Sequence, residues 1–133
     1  MFSMSSNGLL YFEPEVQEYF NKYKFVLSYG VSIDGDKELH DTCRIDLNGE
    51  GTYDRAFAAV TDYRKNTGYM GSKMTISPDN VHKVCNSLKN MISNDYTNIN
   101  LNCVYEEGWT KTHALILYNQ LCELTDWLCE NSL

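Results

Sequence analysis

Val26-Leu27-Ser28-Tyr29-Gly30-Val31-Ser32-Ile33-Asp34-Gly35-Asp36 alternates between two kinds of side chain. In an extended backbone, successive side chains point to opposite faces. Leu27, Tyr29, Val31 and Ile33 therefore share one face, and Ser28, Gly30 and Ser32 share the other. The first face is large and apolar and suits packing against helices. The second is small and leaves room for a ligand or another layer of side chains. The predicted strand runs from about Phe25 to Ile33. Asp34-Gly35 then turns the chain at the strand's carboxyl end, where α/β proteins place their sites.

The segments on either side repeat a strand-then-helix order. Phe2 to Ser6 reads as the last part of a strand ending in an Asn7-Gly8 turn, a beginning that suggests a truncated element. Glu13-Pro14-Glu15 opens a helix whose apolar face carries Val16, Tyr19, Phe20 and Tyr23, and which ends near Lys22 to Lys24. After the central strand comes a long polar connection, Asp34 to Gly51, with room for a helical turn at Lys37 to Asp41. Thr52 is the expected cap of a helix with Tyr53, Phe57 and Val60 along one side, widened by Ala56, Ala59 and Tyr63, and with Gly68 as its stop. Met70 to Ile76 is the next strand. Ser77-Pro78-Asp79 has the composition of a helix start: serine at the cap, proline in the first position, aspartate in the first turn. Val81, Val84, Cys85, Leu88, Met91 and Ile92 follow at helical spacing. Thr97 to Val104 alternates Ile99, Leu101 and Cys103 with Asn98, Asn100 and Asn102. Glu106 to Trp109 turns the chain, and Thr110 or Thr112 caps a last helix bearing Ala114, Leu117, Tyr118, Leu121, Leu124 and Leu128. Four such units imply an α/β fold with parallel strands joined by right-handed crossovers.

Composition narrows the function classes. The chain has 133 residues, enough for one domain, and a net charge of −7. No basic stripe is available to neutralise phosphates, which argues against general nucleic-acid binding. No apolar run reaches membrane-spanning length, and the start lacks the pattern of a signal peptide. Five cysteines, at 43, 85, 103, 122 and 129, show no CxxC spacing. They read as reduced, mostly buried thiols of a cytoplasmic protein, with no metal site built from them.

Several stretches together resemble the radical S-adenosylmethionine (radical SAM) enzymes of the peptide-maturase and anaerobic sulfatase-maturase group. They are Ser32-Ile33-Asp34-Gly35 with Glu38-Leu39-His40-Asp41 and Arg44; Asn48-Gly49 through Gly51 to Tyr53-Asp54; Lys73 to Pro78 with Asn80; and Asn102 to Trp109. Ser5-Ser6-Asn7-Gly8 is similar to the ending of that family's third strand. The resemblance implies a partial (β/α)6 barrel, of which this chain would supply strands three to six and their helices. It implies S-adenosylmethionine (AdoMet) as cofactor and a ribosomally made precursor peptide as partner. It also implies a [4Fe–4S] cluster whose CxxxCxxC ligands, like the second strand and a C-terminal auxiliary-cluster domain, are not among these residues. The expectation is thus a fragment, inactive alone, with no catalytic residue of its own. The rival expectation is a non-catalytic α/β domain binding a small anion or nucleotide at its strand ends.

The candidate cofactor contacts are Ser32, Asp34, Arg44, Lys73, Asn102 and Asn7. Ser32 is either a hydroxyl donor to AdoMet or a small filler of the barrel. Asp34 either accepts from a ribose or substrate group or merely turns the chain. Arg44 offers a fork for a carboxylate or a surface ion pair with Asp41 or Asp46. His40 either shuttles protons or, as favoured here, orders its loop. Lys73 is expected inside the barrel beside an inward stripe of Asn98, Asn100 and Asn102, with Asn102 nearest the strand end. Asn7 enters through the resemblance alone. Tyr105 and Trp109 either cover the barrel mouth or pack at a loop base. A four-strand sheet also has two open edges, which invite pairing between chains.

Overall fold

A computed structural model describes residues 2–106 and 108–132. Four strands, β1 (Phe2–Ser6), β2 (Leu27–Ser32), β3 (Gly71–Ile76) and β4 (Asn98–Cys103), form one open sheet in the order β1-β2-β3-β4, every pairing parallel. The helices are α1 (Pro14–Tyr23), α2 (Lys37–Cys43), α3 (Tyr53–Thr67), α4 (Val84–Ser93) and α5 (Lys111–Glu130). This is the expected α/β alternation. The Glu106–Trp109 turn falls partly outside the described residues, because Glu107 is not among them.

The alternation in β2 places the core. Leu27, Tyr29, Val31 and Ile33 are buried, and Ser28, Gly30 and Ser32 are half-buried. Their large face meets Ala56, Ala59, Val60 and Tyr63 of α3, with Met74, Ile76, Val84 and Leu88 continuing the core. Stacked and edge-on rings of Tyr11, Phe20, Tyr29 and Tyr63 fill its β1 side. The Tyr63 hydroxyl donates to the Leu27 carbonyl at 2.7 Å, and the Tyr29 hydroxyl meets Ser6 Oγ at 2.7 Å, so neither polar tip is stranded.

Four sequence expectations are corrected. Thr52 does stand at the start of α3, but its side chain does not cap the helix. The Asp41 carboxylate accepts from Tyr53 N instead, at 2.9 Å, because the Thr52 hydroxyl is engaged by Arg44 and His40. Ser77-Pro78 does not open a helix directly. Asn80 accepts from Ser77 N and donates to the Thr75 carbonyl, which winds the chain into a turn and then a 3-10 segment, Val81–Lys83, before α4. The cysteines are not mostly buried: Cys43, Cys122 and Cys129 are exposed, two of them on the part of α5 that no other element covers. Of the apolar face on α1 only Phe20 is buried, since Tyr19 and Tyr23 lie beside Phe2 at the uncovered rim of the sheet.

Candidate functional site

The strand register sets the geometry of the face turned away from the helices. Ser5 lies beside Gly30, Gly30 beside Gly71, and Gly71 beside Asn98. One step nearer the carboxyl ends, Ser32, Lys73 and Asn100 form the next row, and Thr75 and Asn102 the one after. These rows make a groove of about 370 Å³ lined by Ser5, Gly30, Lys73, Asn100 and Asn102, closed at its lower end by Tyr69. Tyr69 is there because Gly71 has no side chain: a Cβ on Gly71 would stand 2.6 Å from the Tyr69 ring. The small residues thus create the hollow, and the polar ones line it. Among the described residues Lys73 has no carboxylate partner. Asn100 donates to Asn98 at 2.9 Å, which leaves Asn102 as the free amide nearest the strand ends.

The upper rim of the sheet is held by a closed circuit of side chains. Asp34 N donates to His40 Nδ1 at 3.2 Å, so His40 carries its proton on Nε2 and donates to Thr52 Oγ1 at 3.1 Å. Thr52 Oγ1 donates to the Arg44 carbonyl at 3.0 Å. The Arg44 guanidinium returns to the Asp34 carboxylate, at 2.5 Å from Nε and 3.3 Å from Nη2. Thr75 N also donates to Asp34, at 2.7 Å, tying the circuit to β3. Asp34 is only 5 % exposed. The loop is further pinned by Asp46, which accepts from Asn48 N, Glu50 N and Arg55; these bonds hold its carboxyl below the usual carboxylate range.

Three solved structures of anSMEcpe, an anaerobic sulfatase-maturating enzyme, match the chain with a TM-score of 0.74. The shared property is the fold. The native protein with bound AdoMet is 18% identical over 97% of this chain, and the histidine-tagged protein with bound AdoMet is 20% identical. The native protein with bound AdoMet and the Kp18Cys peptide is again 18% identical. The chain spans 36%, 35% and 37% of those three, about a third of their length. The α/β sheet thus matches part of a radical SAM barrel. No family model and no curated protein matches the chain.

Against this geometry the candidate residues divide into two groups. Ser32, Lys73 and Asn102 share the grooved face. Asp34 and Arg44 sit above it and are each other's partners, so Arg44 pairs with neither Asp41 nor Asp46 as the surface alternative had it. Asn7 stands apart at the end of β1, its side chain accepting from Leu9 N at 3.1 Å in a local turn. Tyr105 is exposed, while Trp109 Nε1 donates to the Val104 carbonyl at 2.6 Å and packs at the loop base. Tyr69 was missed in the sequence. Its signal was parity: Tyr69, Gly71 and Lys73 alternate on one face, with the glycine between two long side chains. Among the described residues no three His, Cys, Asp or Glu side chains gather to hold a metal ion, and no helix is long and apolar enough to cross a membrane.

His40 predicts a pH response. Burial holds it below its ordinary value of 6.5, Arg44 reinforces this, and Asp34 and Asp41 oppose it. The unfolded chain therefore binds the proton first as pH falls. The stability this histidine contributes is complete above about pH 6.5 and is lost progressively below it, by at most ~1.4 kcal/mol per pH unit. Urea unfolding at about pH 7.5 and pH 5 is expected to show this loss in the native chain. His40→Asn should be less stable at the higher pH and show a flatter dependence. An unchanged slope in the variant would assign the acid sensitivity to other groups.

Proposed function

We propose that this chain is the lateral wall of a radical SAM enzyme that modifies a ribosomally made peptide, contributing strands three to six of its barrel. The observation that carries this reading is the polar groove with one unpaired cation on the face turned away from the helices. A packed core has no use for Lys73 and three asparagines in such a place, whereas a cleft of this size with a few convergent polar groups suits a small polar ligand. The fold match supports it further, because the matched protein was determined with AdoMet and with peptides bound.

In this reading Lys73 faces the carboxylate of AdoMet as a point charge, and Ser32 and Asn102 donate to its polar atoms. Gly30 lets the ligand approach the backbone, while Gly71 makes room for the Tyr69 ring that closes the groove. Asn7 marks the β1 side of the same barrel mouth. Asp34 and Arg44 act by position: they fix the end of β2 against β3 and so hold Ser32 and Lys73 in one row. When bound at a [4Fe–4S] cluster, AdoMet supplies a 5′-deoxyadenosyl radical that abstracts hydrogen from the peptide, for example to form a thioether link. The described residues do not fit such a cluster, since the cysteines are scattered and no metal-holding group exists among them. Its ligands belong to a separate part of the enzyme, as does any auxiliary-cluster domain. The chain's own share is binding and orientation.

The rival reading, a small anion or nucleotide at the strand ends, is weakened by the commitment of Arg44, the cation above the β2 and β3 ends, to Asp34. Titration calorimetry with AdoMet tests the proposal. Binding is expected for the native chain, weakened about tenfold in Lys73→Met, the loss of one charge-assisted contact. No binding of AdoMet, with binding of inorganic phosphate instead, would favour the rival.

A further inference from the structure

Tyr69 closes the lower end of the groove from a fixed position. Gly68 ends α3 with φ of +73°, Tyr69 N donates to Thr67 Oγ1 at 3.3 Å, and Met70 N donates to Thr97 Oγ1 at 3.0 Å. Met70 is buried on the helix side, so strand alternation turns Tyr69 to the grooved face with Gly71 and Lys73. There the phenol lies against the Gly71 backbone. A Cβ on Gly71 would stand 2.6 Å from the Tyr69 hydroxyl oxygen and 2.6 Å from a ring carbon. The hydroxyl therefore lies over the floor of the groove, one row below Lys73.

Closing the groove calls for a ring, and phenylalanine would supply one. The hydroxyl needs a further account. Among the described residues it has no hydrogen-bond partner, the Tyr69 bond being made by its backbone. Lys73 has no carboxylate partner among them either. The floor beside these two donors is flat, because Gly30 lies next to Gly71 and neither has a side chain. On the β4 side Asn100 narrows it, donating down to Asn98 at 2.9 Å. Two residues of strand span about 6.6 Å. A carboxylate that accepts one charge-assisted bond of about 2.8 Å on each oxygen bridges a gap of that order. The flexible Lys73 stem adjusts the remaining distance.

We propose that Tyr69 Oη and Lys73 Nζ form a carboxylate clamp, which makes Tyr69 a ligand-contacting residue and the carboxylate the deepest group of the bound ligand. This rests on the proposed function, in which Lys73 faces the carboxylate of AdoMet. It adds a second donor and an orientation. The phenol donates to one carboxylate oxygen, and the ammonium supplies the countercharge at the other. Ser32 and Asn102, nearer the carboxyl ends of the strands, are left for the rest of the ligand.

Titration calorimetry on the native chain and on Tyr69→Phe tests this with three probes: AdoMet, decarboxylated AdoMet and L-methionine. Tyr69→Phe keeps the ring and the closed floor. It removes a hydroxyl that bonds nothing in the protein, so its urea midpoint should match the native one. AdoMet should bind the variant about tenfold more weakly, the loss of one hydrogen bond to a charged group. Decarboxylated AdoMet should bind both chains with equal affinity. Gly71→Ala, whose Cβ drives the ring aside, should reproduce the loss for AdoMet. Equal AdoMet affinity in the native and Tyr69→Phe chains overturns the clamp and spares the proposed function. An equal loss for decarboxylated AdoMet also overturns it, because Tyr69 would then touch another part of the ligand. A lowered urea midpoint in Tyr69→Phe would give the hydroxyl a structural role instead and overturn it too. If AdoMet does not bind but L-methionine does, about tenfold more weakly in Tyr69→Phe, the clamp stands and the proposed function fails. If none of the three binds, both fail.

Discussion

Asp34→Ala destabilises the chain by about 3 kcal/mol, the low end of what breaking a buried ion pair costs. The carboxylate is buried and holds two elements together: Arg44 in the loop and the Thr75 amide on β3. Truncation orphans that amide and leaves the guanidinium beside an empty space. The Arg44 side chain is 29% exposed, so water relieves part of its loss, and the figure is set at the lower end for that reason. Asp34→Asn should cost less, because its carbonyl oxygen can still accept from Thr75 N. Urea unfolding with an unchanged m-value would read both shifts. A loss under about 1 kcal/mol for the alanine variant would mean that the circuit is no stronger than a surface ion pair.

The next residue gives the second large effect. Gly35→Ala is expected to cost about 3 kcal/mol, from two separable causes. Gly35 has φ of +87°, where a Cβ is strained by roughly 1–2 kcal/mol. A Cβ there would also stand 2.5 Å from Ser87 Cβ, and forcing extra volume into a packed interior costs roughly 1–3 kcal/mol. Adding Ser87→Gly to Gly35→Ala removes the collision and keeps the strained backbone. The double variant should therefore show a favourable coupling in a mutant cycle, after allowing for about 1 kcal/mol from glycine inside α4. Additive losses would show that the neighbourhood relaxes and that backbone strain is the whole effect.

Much of this was legible before any coordinates. The alternation in residues 27–33 decided which face of β2 meets the helices, because one side is aromatic or branched and the other has at most a hydroxyl. The same period-two reading put Lys73 and the asparagines of β4 on the opposite face. What could not be read was how groups distant in sequence pair. Arg44 had three aspartates within reach by spacing, and only the turn at Gly35 brings the right one to it. Thr52 occupies its expected cap position, yet its hydroxyl is claimed by the His40 circuit, a competition that local propensity does not register. The helical turn at Ser77 was misread for a similar reason: Asn80 reaches back to two backbone groups and delays the helix. The exposure of Cys122 and Cys129 was missed because a stripe of leucines gives the direction of α5's apolar face but not which of its other sides is covered.

The strand order 1-2-3-4 carries a consequence for how the molecule is made. Every β pairing joins strands that are consecutive along the chain, so no strand has to wait for a distant segment. Structure can accumulate from the amino end during synthesis, each new βα unit condensing on the one before it, as in a linear array of repeats. The last unit, whose helix has no fully buried residue, should then be the last to lock and the first to fray. Amides of β4 and α5 are accordingly expected to exchange with solvent long before those of β2, which has partners on both sides.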